Sequence, residues 1–308
     1  MLEVQGHRGA RGLWPENTLA AFAGALELGV SALELDCGLT RDGVVVVSHD
    51  PELNPDLTRD ARGRFLGRTG PRIFELAFRE LESYDVGRIR PGSAYAARFP
   101  EQQPVDGERI PRLIEVLELA RTRGAGRVRV AIEVKTFPEQ PERTAAPEAF
   151  AAALRQDLEA TGTLALASIM AFDWRVLSAV QRVMPEVATV ALPEQQGGED
   201  TVGIGAPRPS PWLGGLEPGR FGNSVVRLVK ATGAATWGPD YLDLSARRIE
   251  EAHAQGLRVV PWTVNATADM ERLLELRIDG MTTDRPDVLR ELLESRGLAV
   301  PQPTPASA

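Results

Sequence analysis

The sequence has a single cysteine, Cys37, so neither an intramolecular disulfide nor a cysteine-rich metal site can form. Set in the strand-like run SALELDC, it reads as a small buried residue rather than a nucleophile. Long apolar runs are also missing. The longest fall well short of the ~18 to 20 residues that a membrane span needs, so no stable membrane insertion is expected. No basic, apolar, small-residue leader opens the chain. As given it reads as soluble and cytoplasmic, although a leader removed from a periplasmic or secreted protein would leave the same sequence. Positive charge is outnumbered, 35 Lys and Arg against 43 Asp and Glu. There is thus no basic field to attract nucleic acid or acidic membranes, and an anionic ligand has to be caught by local cations.

With 308 residues, 43% of them apolar, the chain can bury a large core. Short apolar runs alternate with amphipathic stretches, the pattern of repeated βα units. Strands are expected near 2–6, 31–37, 128–134, 165–171, 187–192, 234–238, 258–264 and 279–283, with helices between them, several closing on Gly. This spacing predicts an α/β fold, a TIM (β/α)8 barrel forming one catalytic domain over residues 1–298. GVVVVSHD, residues 43–50, follows strand two after only an Arg-Asp-Gly turn. That connection is too short for a parallel return, so the run is expected to be an antiparallel hairpin arm. After it, residues 51–110 are rich in Pro, Gly and charge and read as an insertion with one helix-like patch, IFELAFRELESYD; residues 193–222 form a second irregular stretch. Long insertions of this kind suit lids or binding loops. The Pro/Ala/Ser-rich tail, 299–308, reads as disordered.

In a TIM barrel the reactive groups lie at the C-terminal ends of the strands. That rule selects His7 and Arg8 after strand one, Glu34 and Asp36 in strand two, His49 and Asp50 ending the arm, and Glu133 and Lys135 at strand three. Spacing of i, i+2 puts the two members of a pair on one face of a strand. Glu34, Asp36 and Glu133 converging in a low-dielectric cavity would repel one another, and a hard divalent cation removes that cost. Oxygen-only ligation favours Mg²⁺, Ca²⁺ or Mn²⁺ over Zn²⁺. The two histidines could be further ligands, or one acid and one base. Taken singly, the carboxylates could be a solvated strand face and either histidine structural; their joint location at strand ends is what favours a site. His253, on a helix that precedes a strand, reads as structural.

GHRGARGLWPENTLAAF, ALELDCGLTRDGVVVVSHD and AIEVK, in that order, resemble the glycerophosphodiester phosphodiesterase family, whose pattern runs HRG with PENT, then ExD, a hairpin to HD, and ExK. VVPWTVN and DGMTTDRPDVL resemble its last two barrel strands, so the resemblance covers nearly the whole chain. It implies a TIM barrel with an insertion after the HD motif, and metal-dependent hydrolysis of a small-molecule glycerophosphodiester to sn-glycerol 3-phosphate and an alcohol. Residue by residue, it implies His7 and His49 as the acid/base pair and Glu34, Asp36 and Glu133 as ligands of one Ca²⁺ or Mg²⁺ ion, with Mn²⁺ a further candidate. Arg8 and Lys135 would contact the phosphate and Trp262 the glycerol. In the family the first nucleophile is the substrate's own glycerol hydroxyl, giving a cyclic phosphate that water opens.

The chain departs from the family pattern at Met170-Ala171-Phe172-Asp173, where relatives carry a polar residue and then Ser-Phe-Asp, and at Arg277, where Gly is usual. Gly9 and Gly12 are expected to turn the backbone close to the ligand, Asn17 or Thr18 to cap the first helix, and Arg11 to take a surface or supporting role. Two alternatives compete. A lysophospholipase D-type enzyme would be favoured by an exposed apolar rim on the insertion, whose Ile73, Phe74, Leu76 and Phe78 read instead as core at helical spacing. A non-catalytic phosphoglycerol-binding barrel is disfavoured by the two histidines.

Overall fold

The computed structural model describes residues 1–196 and 200–304. The chain runs β1 (Glu3–Gly6), α1 (Leu19–Leu28), β2 (Ala32–Leu39) and β3 (Val45–Val47), then α2 (Phe78–Leu81) and α3 (Ala94–Arg98) within the insertion. It continues through α4 (Leu113–Arg123), β4 (Arg129–Val134), α5 (Pro147–Thr161), β5 (Ala167–Ala171), α6 (Trp174–Val183), β6 (Ala188–Ala191) and α7 (Val225–Ala231). The last units are β7 (Thr236–Trp237), α8 (Ala246–Ala254), β8 (Arg258–Val259), α9 (Thr267–Glu275), β9 (Gly280–Thr283) and α10 (Pro286–Ser295).

Parallel ladders join the strands in the order β8-β7-β6-β5-β4-β2-β1-β9. The ring closes between β9 and the segment around β8, where Asp279 N donates to Val259 O (2.9 Å) and Thr282 N to Pro261 O (3.0 Å). Pro261 has no N–H to give, which helps keep β8 short. This is the expected TIM barrel. The arm β3 pairs antiparallel with β2, Cys37 opposite Val47, as its short turn requires.

Alternation along the strands separates core from cavity. Leu33, Leu35 and Cys37 of β2, with Val130, Ile132 and Val134 of β4, join Phe22, Leu26, Leu113 and Leu117 in the apolar layer between barrel and helices. Each large aliphatic side chain buried there stabilises the fold by about 1.5–3 kcal/mol. Glu34, Asp36 and Glu133 occupy the opposite faces of those strands and point inward.

Two expectations need correction. The patch 73–85 is not one helix. Ile73–Glu75 makes a single 3₁₀ turn, Leu76 and Ala77 are extended, and only Phe78–Leu81 is α-helical. Leu76 O accepts from Arg41 N (2.9 Å) and Ala77 N donates to the Glu80 carboxylate (2.8 Å), which diverts the backbone from a continuous helix. Ile73 and Leu81 pack with Val46, Leu53 and Ile110 in a cluster of their own. The tail is ordered through residue 304: Thr304 is buried and donates from N and Oγ1 to Leu26 O (2.9 and 3.0 Å), while Arg290 bonds Pro301 O. It satisfies one carbonyl, that of Leu26, which α1 leaves unpaired near its C-terminus. Residues 305–308 lie outside the described residues. No helix among the described residues is long and apolar enough to cross a membrane.

Candidate active site

The loop after β1 passes through three successive left-handed residues, Arg8, Gly9 and Ala10 (φ 51°, 76° and 65°). Such backbone is costly for Arg and Ala. It is held by His7 N donating to Thr283 O (2.9 Å), Arg11 N to His7 O (3.1 Å) and Asn17 N to Arg8 O (3.0 Å). A Cβ at Gly9 would lie 2.8 Å from that of Ala21 on α1, and one at Gly12 would lie 2.6 Å from Asp284 O. The two glycines therefore let the loop pack on α1 and on the end of β9, rather than turn close to a ligand. The PENT segment divides its work. Thr18 caps α1 by accepting from Ala21 N (3.2 Å), and Asn17 Nδ2 instead donates to Asp36 Oδ2 (3.0 Å).

The β2–β4 register sets Asp36 beside Glu133. One carboxylate oxygen from each of Glu34, Asp36 and Glu133 lies within 4.8 Å of the other two, and all three residues are buried. Arg8 N donates to Glu34 Oε2 (2.9 Å), and its guanidinium bonds Glu16 (2.7 Å) and pairs with Asp36 (3.1 Å). Lys135 Nζ bonds Glu133 and lies 3.0 Å from Asp36 Oδ1. Burial, followed by the charges of Asp36 and Glu133, holds the Glu34 carboxyl well above its usual range. Burial opposes the Asp36 charge as well, but Lys135 and Arg8 outweigh it and hold that carboxyl well below its usual range. The buried Asp36 Oδ1 still lacks an aligned hydrogen bond. Three hard oxygen donors, incompletely neutralised and with a buried acceptor left over, fit a divalent cation.

Each histidine is held by a carboxylate. His7 Nδ1 lies 2.6 Å from Asp284 Oδ1, and its Nε2 is 3.9 Å from Glu34. Asp284 also accepts from Arg11 Nε and Asn265 Nδ2, both at 2.7 Å. Burial above all, with the Arg11 charge, lowers the His7 pKa to about 4 against the pull of Asp284. His49 Nδ1 lies 2.7 Å from Asp50 Oδ1, whose other oxygen accepts from Asn54 Nδ2 (2.7 Å). Burial and the charges of Arg8 and Lys135 lower His49 too. With Nδ1 engaged, each ring keeps Nε2 for proton transfer.

His7, Arg8, Glu34, His49, Glu133, Lys135 and Trp262 wall one cavity of about 630 Å³, and Asp36 lies beneath them. Sequence reasoning missed Asp284, although the same strand-end rule would have found it directly after β9. Arg11, expected in a surface or supporting role, is buried, bonds Asp284 and Tyr95, and stacks over Phe99 (4.8 Å), so of the two roles it is the supporting one that its contacts match. Met170 is buried beside Leu192, against Phe172 and Trp262. His253 instead pairs with Asp279 (2.9 Å), just before β9, at the N-terminal end of the barrel.

The model of the glycerophosphoryl diester phosphodiesterase family matches residues 7–288. The chain belongs to this family. A glycerophosphodiester phosphodiesterase of Caldanaerobacter subterraneus is 28% identical over 298 residues, 96% of this chain and 98% of its own. A human lysophospholipase D is 28% identical over 300 residues, 94% of this chain and 85% of its own. The crystal structure of a Silicibacter pomeroyi protein assigned to the glycerophosphoryl diester phosphodiesterases superposes with a TM-score of 0.86 at 33% identity, covering 97% of this chain and 95% of that one. The left-handed HRG loop and the carboxylate cluster of this phosphodiesterase-family chain thus sit in a barrel of the family's own shape.

Proposed function

We propose that this phosphodiesterase-family enzyme uses one divalent cation, Ca²⁺ or Mg²⁺, and a histidine pair to hydrolyse glycerophosphodiesters to sn-glycerol 3-phosphate and an alcohol. The observation that carries the reading is the meeting, in one cavity, of three converging carboxylates with two histidines that are each held by a carboxylate. Arg8 and Lys135 line the same cavity, and fixed cations beside a phosphodiester anion stabilise charge that grows on the equatorial oxygens in the transition state. A cation held by Glu34, Asp36 and Glu133 would act as a Lewis acid on a phosphoryl oxygen and on the attacking hydroxyl. One histidine takes the proton of that hydroxyl as its oxygen bonds phosphorus, and the other protonates the departing alkoxide as its P–O bond breaks. Asp284 and Asp50 hold the rings through Nδ1 and stabilise the imidazolium form, which the base enters and the acid leaves as the proton moves.

A second reading, a lysophospholipase D-type reaction, draws support from the apolar side of the cavity and from the human relative. It does not draw on the insertion, where Ile73 is buried, Leu76 and Phe78 pack against it, and Phe74 alone of the four is exposed. A matrix of activity over metal ions and over glycerophosphocholine, -ethanolamine, -inositol and lysophospholipids tests both. Release of sn-glycerol 3-phosphate that requires a divalent ion is the expected result; no release with any ion would end the proposal.

A further inference from the structure

The segment 94–103 of the insertion has little core of its own. Its helix α3 is five residues long, capped by Ser93 accepting from Ala96 N (3.0 Å), and none of its five residues is buried. A helix that short does not hold itself in water. It is held instead against the loop after β1. Gln102 Nε2 donates to Arg11 O (2.7 Å), Gln103 N donates to Leu13 O (2.8 Å), and the buried Phe99 carries the Arg11 guanidinium over its ring. Tyr95 leans on Phe99, with ring centroids 5.2 Å apart, and its hydroxyl joins two residues of that loop: it donates to Glu16 Oε2 and accepts from Arg11 Nη1 (3.2 Å). Among the described residues that wall the cavity, Tyr95 is not one.

Arg11 is attracted by two buried carboxylates, Asp284 and Glu16. A buried carboxylate short of donors takes any cation within reach. Here the Tyr95 hydroxyl fills Oε2 of Glu16 while Arg8 Nη1 fills Oε1 (2.7 Å), so each oxygen of Glu16 has a donor and Arg11 Nε is left to Asp284 Oδ1 (2.7 Å). That same oxygen of Asp284 holds His7 Nδ1 (2.6 Å). Burial, followed by the Glu16 charge, keeps the phenol above its usual range, so it remains a proton donor through neutral pH. We propose that Tyr95 is a positioning residue for His7: by satisfying Glu16 it keeps Arg11 on Asp284, and so fixes the imidazole that Asp284 holds. This rests on the His7 role in the diesterase reading above. The planar Arg11 fork, pinned at Nε by Asp284 and at Nη1 by Tyr95, is the part that transmits the constraint. The insertion thereby takes part in the reaction without touching substrate.

Tyr95→Phe keeps the ring against Phe99 and removes only the hydroxyl. In the cation-loaded enzyme, kcat on glycerophosphocholine should fall by about tenfold or more while KM changes by less than about twofold. In a His7→Ala background the same substitution should change the residual turnover by less than about twofold, whereas a bond that only supports the fold would act alike in both backgrounds. Arg11→Lys keeps the charge but offers one ammonium where a two-sided fork is needed; it should repeat the loss in kcat, and it carries the test where Tyr95→Phe does not fold. Unchanged kcat in either variant would overturn the proposal, as would an equal fractional loss with and without His7. A rise in KM alone would overturn it too, by making Tyr95 a substrate contact. Should the wild type cleave no diester at all, it is the diesterase reading that falls, and hydrogen exchange still judges Tyr95. The Arg11 and Asn17 amides, which donate to His7 O and Arg8 O, should then exchange about tenfold faster in Tyr95→Phe with β1 and β9 unchanged; equal exchange at both amides overturns the proposal.

Discussion

At the N-terminal end of the barrel, Glu3 meets Arg129, Arg258 (2.6 Å) and the Gln5 amide (2.6 Å); at the C-terminal end, Glu34, Asp36 and Glu133 share Lys135 and Arg8. Glu3, Gln5 and His7 alternate along one strand and its end, so a single face of β1 and the residue after it reaches from one arrangement to the other. Below, one carboxylate has two guanidinium groups and needs nothing more. Above, three carboxylates have two cations, one of which also serves Glu16, and burial, followed by the charges of Asp36 and Glu133, forces the Glu34 carboxyl up. A buried charge kept for structure is matched by the protein itself. The charge left over in the second arrangement is what a bound divalent cation would offset.

The contrast can be broken at either end. His7→Ala and His49→Ala should each lower turnover by about a thousandfold while leaving the circular dichroism spectrum unchanged, because proton transfer is lost and no core contact is. Asp36→Asn should weaken Ca²⁺ or Mg²⁺ binding by at least about 100-fold in calorimetric titration, since it removes a ligand charge and the partner of Lys135. At the other end, Glu3→Gln should cost about 2 kcal/mol in urea unfolding with activity retained, the half-exposed arginines keeping the loss below that of a fully buried pair. Glu34→Gln should do the opposite. In chelator it should raise stability by about 1 kcal/mol by relieving repulsion from Asp36 and Glu133, and added cation should favour the wild type instead. A control away from both clusters is Arg277, exposed and left-handed at φ 58°. Arg277→Gly should stabilise by about 0.5 kcal/mol, detectable as a small rise in the urea midpoint.

Much of this was legible in the chain. The period-two alternation of ALELD and AIEVK put Glu34, Asp36 and Glu133 on inward faces before any coordinates, and a three-residue turn allowed β3 no choice but to pair back on β2. What stayed hidden depends on contacts between distant segments. Asp284 lies 277 residues from His7 and reaches it only because β9, the last strand, pairs with β1, the first. Arg11 is buried by Tyr95 and Phe99 from an insertion whose path no local pattern reveals. The break at Leu76–Ala77 came from Arg41 and Glu80 drawing the backbone aside, which overrode a helical apolar spacing. The tail carries a disordered composition, yet Thr304 finds the unpaired end of α1.

The central claim, that the undercharged end of the barrel works through a bound divalent cation, is tested most directly by chelation. The purified protein is incubated with excess EDTA, and sn-glycerol 3-phosphate released from glycerophosphocholine is measured before and after Ca²⁺ or Mg²⁺ is restored. Activity should vanish in chelator and return with the ion, in parallel with a gain in thermal stability that Glu34→Gln lacks. Full activity after prolonged chelation would contradict the account.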